Sequence, residues 1–390
     1  MPWEVTSVME RRIKFVLQAI LRETNFSQLC LDFGISRSTG YRWLWRYYKT
    51  GSVGSLMDRS RRPHHSPNKI SSEIEQRVLD ERGRYHWGAR KLRELLLRQG
   101  VDVKAVTINR ILKRHGLITE KQRGYTASRR FERANPNELW QMDFKGEFAM
   151  MLGKCYPLTI VDDHSRFGLG IFALAHPQGK LVQKCLIETF DRYGLPEAML
   201  MDHGAPWWST TNGYGLTTLS VWLIKQNIRL LWSGIGHPQT QGKVERFHRT
   251  LKEDMGYLPK PKSLHDWQKV FDQFLHRYNY IRPHEALAMG VPADYYNPSC
   301  RPYRAESTFW DYPDGAIIKR LNPQGCLYYK GRYYFVCEAL GHEWIRIEKL
   351  PKRLLISYRN MYIREIELDT KRTKPLVIPV SKTQQVSHMS

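Results

Sequence analysis

Between Val5 and Lys49 apolar residues recur at helical spacing, with Ile13, Val16, Leu17, Ile20 and Leu21 marking one helix. A short apolar run from Ser27 to Phe33, the turn Gly34-Ile35-Ser36 and a segment from Arg37 to Tyr48 follow. They predict a helix, a glycine turn and a serine N-cap opening another helix, which is a helix-turn-helix pattern. On the last helix Tyr41, Leu44 and Tyr48 are expected to face inward. Ser38, Arg42 and Arg46, with Arg37 at the helix start, then form an outward face that fits a major groove. Gly40 is a poor residue there, at about 1 kcal/mol relative to alanine. The theme repeats from Ser71 to Gly116, where Ile108, Ile111 and Leu112 are expected inward and Arg110, Lys113 and Arg114 outward.

From about Glu138 the periodicity changes. Leu139–Asp143, Pro157–Val161, Phe167–Ala173, Ala198–Asp202 and Ile228–Leu231 read as strands, interleaved with helices at Val182–Arg192, Leu219–Gln226, Val244–Asp254 and Leu264–Tyr280. Three strands, then helix, strand, helix, strand and helix match an RNase H-like order. Beyond Tyr312, short alternating strands separated by Asn322-Pro323-Gln324-Gly325, Lys330-Gly331 and Arg359-Asn360 suggest a small β-barrel. The expected organisation is multidomain: a helix-turn-helix domain at 1–50, a flexible basic linker at 51–68, a second helical domain at 69–117 and a basic connector at 118–137. An α/β RNase H-like catalytic core at 138–300, a β-barrel at 312–370 and a disordered tail at 371–390 complete it.

Charge adds a partner. The 61 basic and 38 acidic residues leave a net +23 spread along the chain, a field that favours polyanions and weakens with salt. Arg59, Arg61 and Arg62 in the first linker are placed to follow a nucleic-acid backbone or reach a minor groove. Cys30, Cys155, Cys185, Cys300, Cys326 and Cys337 form no CxxC pair, which argues against a disulfide scaffold or a structural zinc site. No apolar h-region opens the chain and no window approaches 18 apolar residues, so a cytoplasmic protein without a membrane span is expected.

Three carboxylates stand out against this basic background. Asp143 closes the first strand, Asp202 closes a later one, and Glu245 sits on a helix among Lys243, Arg246, His248, Arg249 and Lys252. Singly, each is the kind of acid found at turns or on solvated faces; together, in this element order, they make a constellation. Phosphodiester chemistry needs a neutralised leaving oxygen and an activated attacking oxygen, which two Mg²⁺ about 3.5–4 Å apart can supply. Magnesium takes hard oxygen ligands. Lys243, His248, Arg249 and Lys252 are then expected to meet DNA. Asp162 and Asp163 compete as ligands but precede a Ser-Arg turn and are assigned to the hairpin; Glu253 and Glu285 are weaker alternatives to Glu245.

Taken together, Trp140-Gln141-Met142-Asp143, Asp162-Asp163-His164-Ser165-Arg166, Asp202-His203-Gly204, the run from His237 to Leu251 and Tyr278–Leu287 resemble bacterial insertion-sequence transposases with a DDE, retroviral-integrase-like core. Gly34–Tyr41 and Asp58–Pro63 resemble that family's leading domain and linker. The resemblance implies that Asp143, Asp202 and Glu245 are catalytic and bind two Mg²⁺ or Mn²⁺ ions. It implies cleavage at terminal inverted repeats, attack of the freed 3′-hydroxyl on target DNA, no ATP, and a homodimer or higher multimer on DNA. Two departures accompany it. The 42 residues from 203 to 244 make a longer spacer than the family usually has, with the extra length expected around Trp207–Gly215, and the retroviral zinc-binding pattern is replaced by helix-turn-helix segments. Without the carboxylates, the same helical half would serve a non-enzymatic DNA-binding regulator; an RNase H-type nuclease is the third reading.

Overall fold

The computed structural model describes residues 7–59, 70–118, 132–151, 153–210, 215–233, 242–306 and 309–376. Arg61, Arg62 and the loop His237–Gln241 lie outside the described residues. The chain divides into two units, Met1–Ser71 and Ser72–Ser390.

In the first unit, helices α1 (Val8–Leu21), α2 (Phe26–Asp32) and α3 (Arg37–Thr50) enclose Phe15, Val16, Leu29, Cys30 and Leu56. Ser36 caps α3, accepting from the Thr39 N–H as the sequence predicts. The inward stripe of α3 differs from the expected one. Gly40, Trp43, Leu44 and Tyr47 face the core, while Tyr41 and Tyr48 are 59% and 62% exposed. A Gly is invisible to hydrophobic periodicity, so the stripe read from the apolar letters alone is rotated. Gly40 is where the helices close in: a Cβ there would lie 2.8 Å from both Cys30 Sγ and Phe15 Cζ. Gly40→Ala is therefore expected to destabilise this unit by about 1–3 kcal/mol through overpacking, against the gain that helix propensity alone predicts. Urea unfolding of the full chain gives the sign, and a more stable variant would refute the close-packing argument. The linker expectation also needs correcting. Val53–Leu56 form a 3₁₀ turn, Leu56 is buried, and Arg12 holds its carbonyl at 3.0 Å.

The second unit begins with α4 (Ser72–Tyr85), α5 (Ala89–Arg98) and α6 (Ala105–Arg114), with Ile108, Ile111 and Leu112 buried as expected. This helical segment is joined to the rest of the unit through His86 stacked on Tyr257 at 3.8 Å and Arg98 donating to the Met289 carbonyl. The α/β part runs β1 (Trp140–Phe144), β2 (Phe148–Ala149), β3 (Lys154–Asp162), β4 (Gly168–Leu174), α7 (Gly179–Tyr193) and β5 (Ala198–Met201). It continues with β6 (Trp208–Ser209), β7 (Gly215–Leu216), α8 (Thr218–Lys225), β8 (Arg229–Trp232), α9 (Gly242–Met255) and α10 (Leu264–Tyr280). β4, β3 and β1 are antiparallel neighbours, and β1, β5 and β8 are parallel ones. One face of this sheet packs Trp140, Met142, Leu158 and Ile160 with Val182, Leu186 and Phe190 of α7. The other packs Val161 and Ile171 with Val244, Phe247 and Leu251 of α9 and Phe271 and Phe274 of α10.

The C-terminal strands are β9 (Ile317–Arg320), β10 (Cys326–Tyr329), β11 (Arg332–Phe335), β12 (Trp344–Leu350), β13 (Arg353–Tyr358), β14 (Met361–Glu367) and β15 (Thr373–Pro375). They do not form the expected barrel. Among the described residues the order is β15-β14-β13-β12-β9, an open sheet, with β10-β11 a separate hairpin. Closure is unnecessary for burial because Ile345, Ile347, Leu354, Ile356 and Tyr358 share one core with Trp207, Trp208, Leu216 and Trp232. The last strand, paired to β14, occupies residues expected to begin a disordered tail.

Candidate active site

Sheet register places two of the three acids. Trp140 lies opposite Met199 and Gln141 opposite Leu200 in the parallel β1–β5 pair. Continued by two residues, that register sets Asp143 opposite Asp202, which follows β5 directly. Side chains alternate across a strand. Trp140, Met142, Met199 and Met201 occupy the α7 face, so Asp143 and Asp202 share the other one. That is the face α9 covers, and Gln141 Oε1 accepts from the Val244 N–H at 3.3 Å. Glu245 is the next residue, exposed in the first turn of α9.

The electrostatics report the same convergence. Burial, then the negative charges of Asp202 and Glu245, push the Asp143 carboxyl up to about 7. A carboxyl that resists ionisation beside two other carboxylates is one that a multivalent cation would stabilise. The donor set, three carboxylates, is what a hard divalent ion takes, so the residues fit the group. Among the described residues no three His, Cys, Asp or Glu side chains stand gathered as a ready metal cage. The Asp202 Oδ1 accepts from the Gly204 N–H at 2.9 Å and the Trp207 Nε1–H at 2.7 Å. A Cβ on Gly204 would sit 2.9 Å from that oxygen, so only glycine lets the loop close this tightly.

Neighbouring polar groups hold the frame. The Thr159 hydroxyl donates to the Asp143 carbonyl at 2.9 Å and lies 2.6 Å from His248 Nε2. With its one hydrogen spent, Thr159 accepts from the imidazole. Nδ1 of His248 is then the acceptor that faces Asp143 Oδ2 at 3.8 Å. Burial drives His248 down to about 3, so it is neutral near pH 7. Asp163, fully buried, accepts from Gln141 Nε2 at 2.7 Å and the Arg133 N–H at 2.9 Å, and pairs with Lys243 Nζ at 2.5 Å. It thereby ties β1 to the first turn of α9, two residues before Glu245. Asp162 accepts from the Ser165 N–H and hydroxyl and from the Asn137 N–H, the turn role expected of it.

The expected DNA contacts divide into two groups. Arg37, Ser38, Arg42, Arg59, Arg110, Lys113, Arg249 and Lys252 are exposed, and Arg114 is exposed while pairing with Glu75 at 2.7 Å. Lys243 and His248 are instead turned into the protein, where Lys243 pairs with Asp163 and His248 meets the Thr159 hydroxyl. Arg46 donates to the Met57 carbonyl at 2.7 Å and lies over the Trp43 ring, so it braces the first unit. Gln141, Thr159 and Trp207 were not singled out by their chemistry, and Asp163, weighed as a competing ligand and assigned to the hairpin, is the carboxylate that pairs with Lys243. Gln141 and Thr159 carried a signal, as polar residues alternating within otherwise apolar strands.

Residues 133–238 match an integrase core domain model, and 226–292 match a second one; residues 39–112 match a homeodomain-like domain. The chain is 29% identical over 144 residues to the Gag-Pol polyprotein of feline leukemia virus, covering 36% of this chain and 8% of that one. It spans between 8% and 23% of the length of the viral polyproteins it matches first. It is 23% identical over 251 residues to the insertion element IS407 uncharacterized 31.7 kDa protein of Burkholderia multivorans, covering 63% of this chain and 87% of that one. Against the HTLV-2 integrase catalytic core domain solved with magnesium, identity is 15% and the TM-score 0.32, over 42% of this chain and 97% of that one. No described helix is long and apolar enough to cross a membrane. The two integrase core domain models fall on the strands and helix that carry the three acids, and together with the homeodomain-like domain and the insertion-element relative they make the chain similar to insertion-sequence transposases of the DDE, integrase-like class.

Proposed function

We propose that this protein is a DNA transposase, a polynucleotidyl transferase that binds the terminal inverted repeats of its element, cleaves the ends and joins the freed 3′-hydroxyl to target DNA. The observation that carries the reading is the placement of the three acids: the β1–β5 register sets Asp143 opposite Asp202, and α9, which bears Glu245, is tied to β1 beside them. These three residues would hold Mg²⁺ or Mn²⁺, two ions, whose chemistry is to neutralise the leaving oxygen and activate the attacking one. The chain's own residues prepare the place. Thr159 holds the backbone of Asp143 and is itself held by neutral His248; Asp163 and Gln141 fix the start of the helix bearing Glu245, and exposed Arg249 and Lys252 lie further along that helix to meet phosphates. Arg37, Ser38, Arg42 and Arg59 in the first unit, and Arg110, Lys113 and Arg114 in the second, supply end-DNA contacts. Two ends must be held at once, so the working form is at least a dimer on DNA; sizing with and without end DNA follows it.

The deciding experiment incubates the full chain with labelled end DNA, target plasmid and Mg²⁺. Joined products are expected. Nicking without joining would make the protein a hydrolytic nuclease, and binding without nicking a regulator; either result overturns the proposal.

A further inference from the structure

Within the long spacer between Asp202 and Glu245, residues 203–210 and 215–233 are described. β6 and β7 pair antiparallel inside it, with Trp208 opposite Leu216. Trp208 is buried against Trp232, with ring centroids 4.8 Å apart, and against His203 at 5.0 Å. Leu216 offers its carbonyl to Cys337 Sγ of the C-terminal part at 3.4 Å. The Trp207 carbonyl accepts from the Ser220 hydroxyl of α8. Trp207 itself is 1% exposed. Its Nε1–H points at Asp202 Oδ1 at 2.7 Å, and its ring stacks on Phe144 at 5.4 Å and 12°. Phe144 is the residue after Asp143. One indole thus touches the neighbourhood of both strand-borne acids.

We propose that Trp207 is a positioning residue for Asp202. Oδ1 of Asp202 accepts from both the indole and the Gly204 N–H, which leaves Oδ2 as the oxygen not engaged by these two donors. The stack on Phe144 keeps that carboxylate in a fixed relation to β1. Groups that orient a metal ligand in this way typically contribute about 10–100-fold in metal affinity. The proposal rests on the reading of Asp202 as a metal ligand.

The test is Mn²⁺ binding to the full chain without DNA, read from the free Mn²⁺ signal by electron paramagnetic resonance, alongside thermal melting. Trp207→Phe keeps a ring for Phe144 and loses the N–H. Trp207→3-benzothienylalanine keeps the whole bicycle, with sulfur in place of the N–H, and decides the matter if the Phe variant does not fold. Each is expected to bind Mn²⁺ about 10–100-fold more weakly. Ser220→Ala, which loosens the same segment without touching the indole N–H, is expected to bind as the wild type does. Wild-type affinity in the benzothienyl variant would overturn the proposal, as would a loss that merely follows melting temperature across all three variants. Asp202→Asn separates this from the underlying reading. If that change leaves Mn²⁺ binding intact, Asp202 is not a ligand; if it abolishes binding while the Trp207 variants do not weaken it, only the role of Trp207 falls.

Discussion

Asp143→Asn is expected to melt at a higher temperature than the wild-type chain above pH 7 in the absence of divalent cations, while end cleavage falls by about 10³-fold or more. The stability half follows from linkage. The folded-state carboxyl titrates near 7, against an ordinary value of 3.8, first because it is buried and then because Asp202 and Glu245 repel its charge. Between about pH 4 and 7 the folded chain keeps a proton that the unfolded chain has lost, so this group's contribution to stability declines as pH rises and levels off above 7. Each pKa unit is about 1.4 kcal/mol, which makes the full penalty on the order of a few kcal/mol. Asparagine escapes it. The two proteins should therefore melt alike near pH 4 and diverge as pH rises to 7. Mg²⁺ should then raise the melting temperature of the wild type and leave the variant little changed, since a ligand of the folded state stabilises by mass action. Calorimetry across pH with and without Mg²⁺ reads both effects. An Asn variant less stable than the wild type at pH 8 would mean that the acids do not burden one another. Retained cleavage would remove Asp143 from the reacting set.

Asp163→Ala should cost about 3 kcal/mol of stability, because it leaves the inward-turned Lys243 ammonium without its carboxylate and removes the acceptor of Gln141 Nε2 and the Arg133 N–H. Lys243 already titrates near 8, lowered by burial and partly restored by Asp163. The loss should accordingly shrink at pH above 8, where Lys243 sheds its proton. Adding Lys243→Met should recover part of the stability, and only part, since two donors still lack their acceptor. Cleavage should remain low in the double variant, because β1 and α9 are no longer tied across the site. Urea unfolding of both single variants and the double one, paired with cleavage, checks this. A double variant no more stable than Asp163→Ala would refute the charge argument.

The three candidate acids could be picked out because each ends or opens a regular element, and because strand, helix and glycine signals put those elements in a recognisable order. Tyr41 and Tyr48 were misplaced for the opposite reason: the inward stripe of α3 is organised by Gly40, a residue without a side chain. Lys243 and His248 read as DNA contacts because a basic helix next to a nucleic-acid site ordinarily faces outward. Whether a Lys or His turns inward depends on a partner, here Asp163 and Thr159, which lie 80 and 89 residues away along the chain. The barrel expectation followed from alternating strands, a local pattern; whether a sheet closes depends on what covers its apolar face.

Periodicity, turn chemistry and charge act between neighbours a few residues apart, so the sequence by itself determined the helices, the strands, the basic charge and the candidate acids. Register, burial and pairing act between residues far apart in the chain. Tertiary structure alone decided that Asp143 and Asp202 share a sheet face, that the Trp207 indole donates to one of them, and that three expected DNA contacts, Arg46, Lys243 and His248, have partners within the protein.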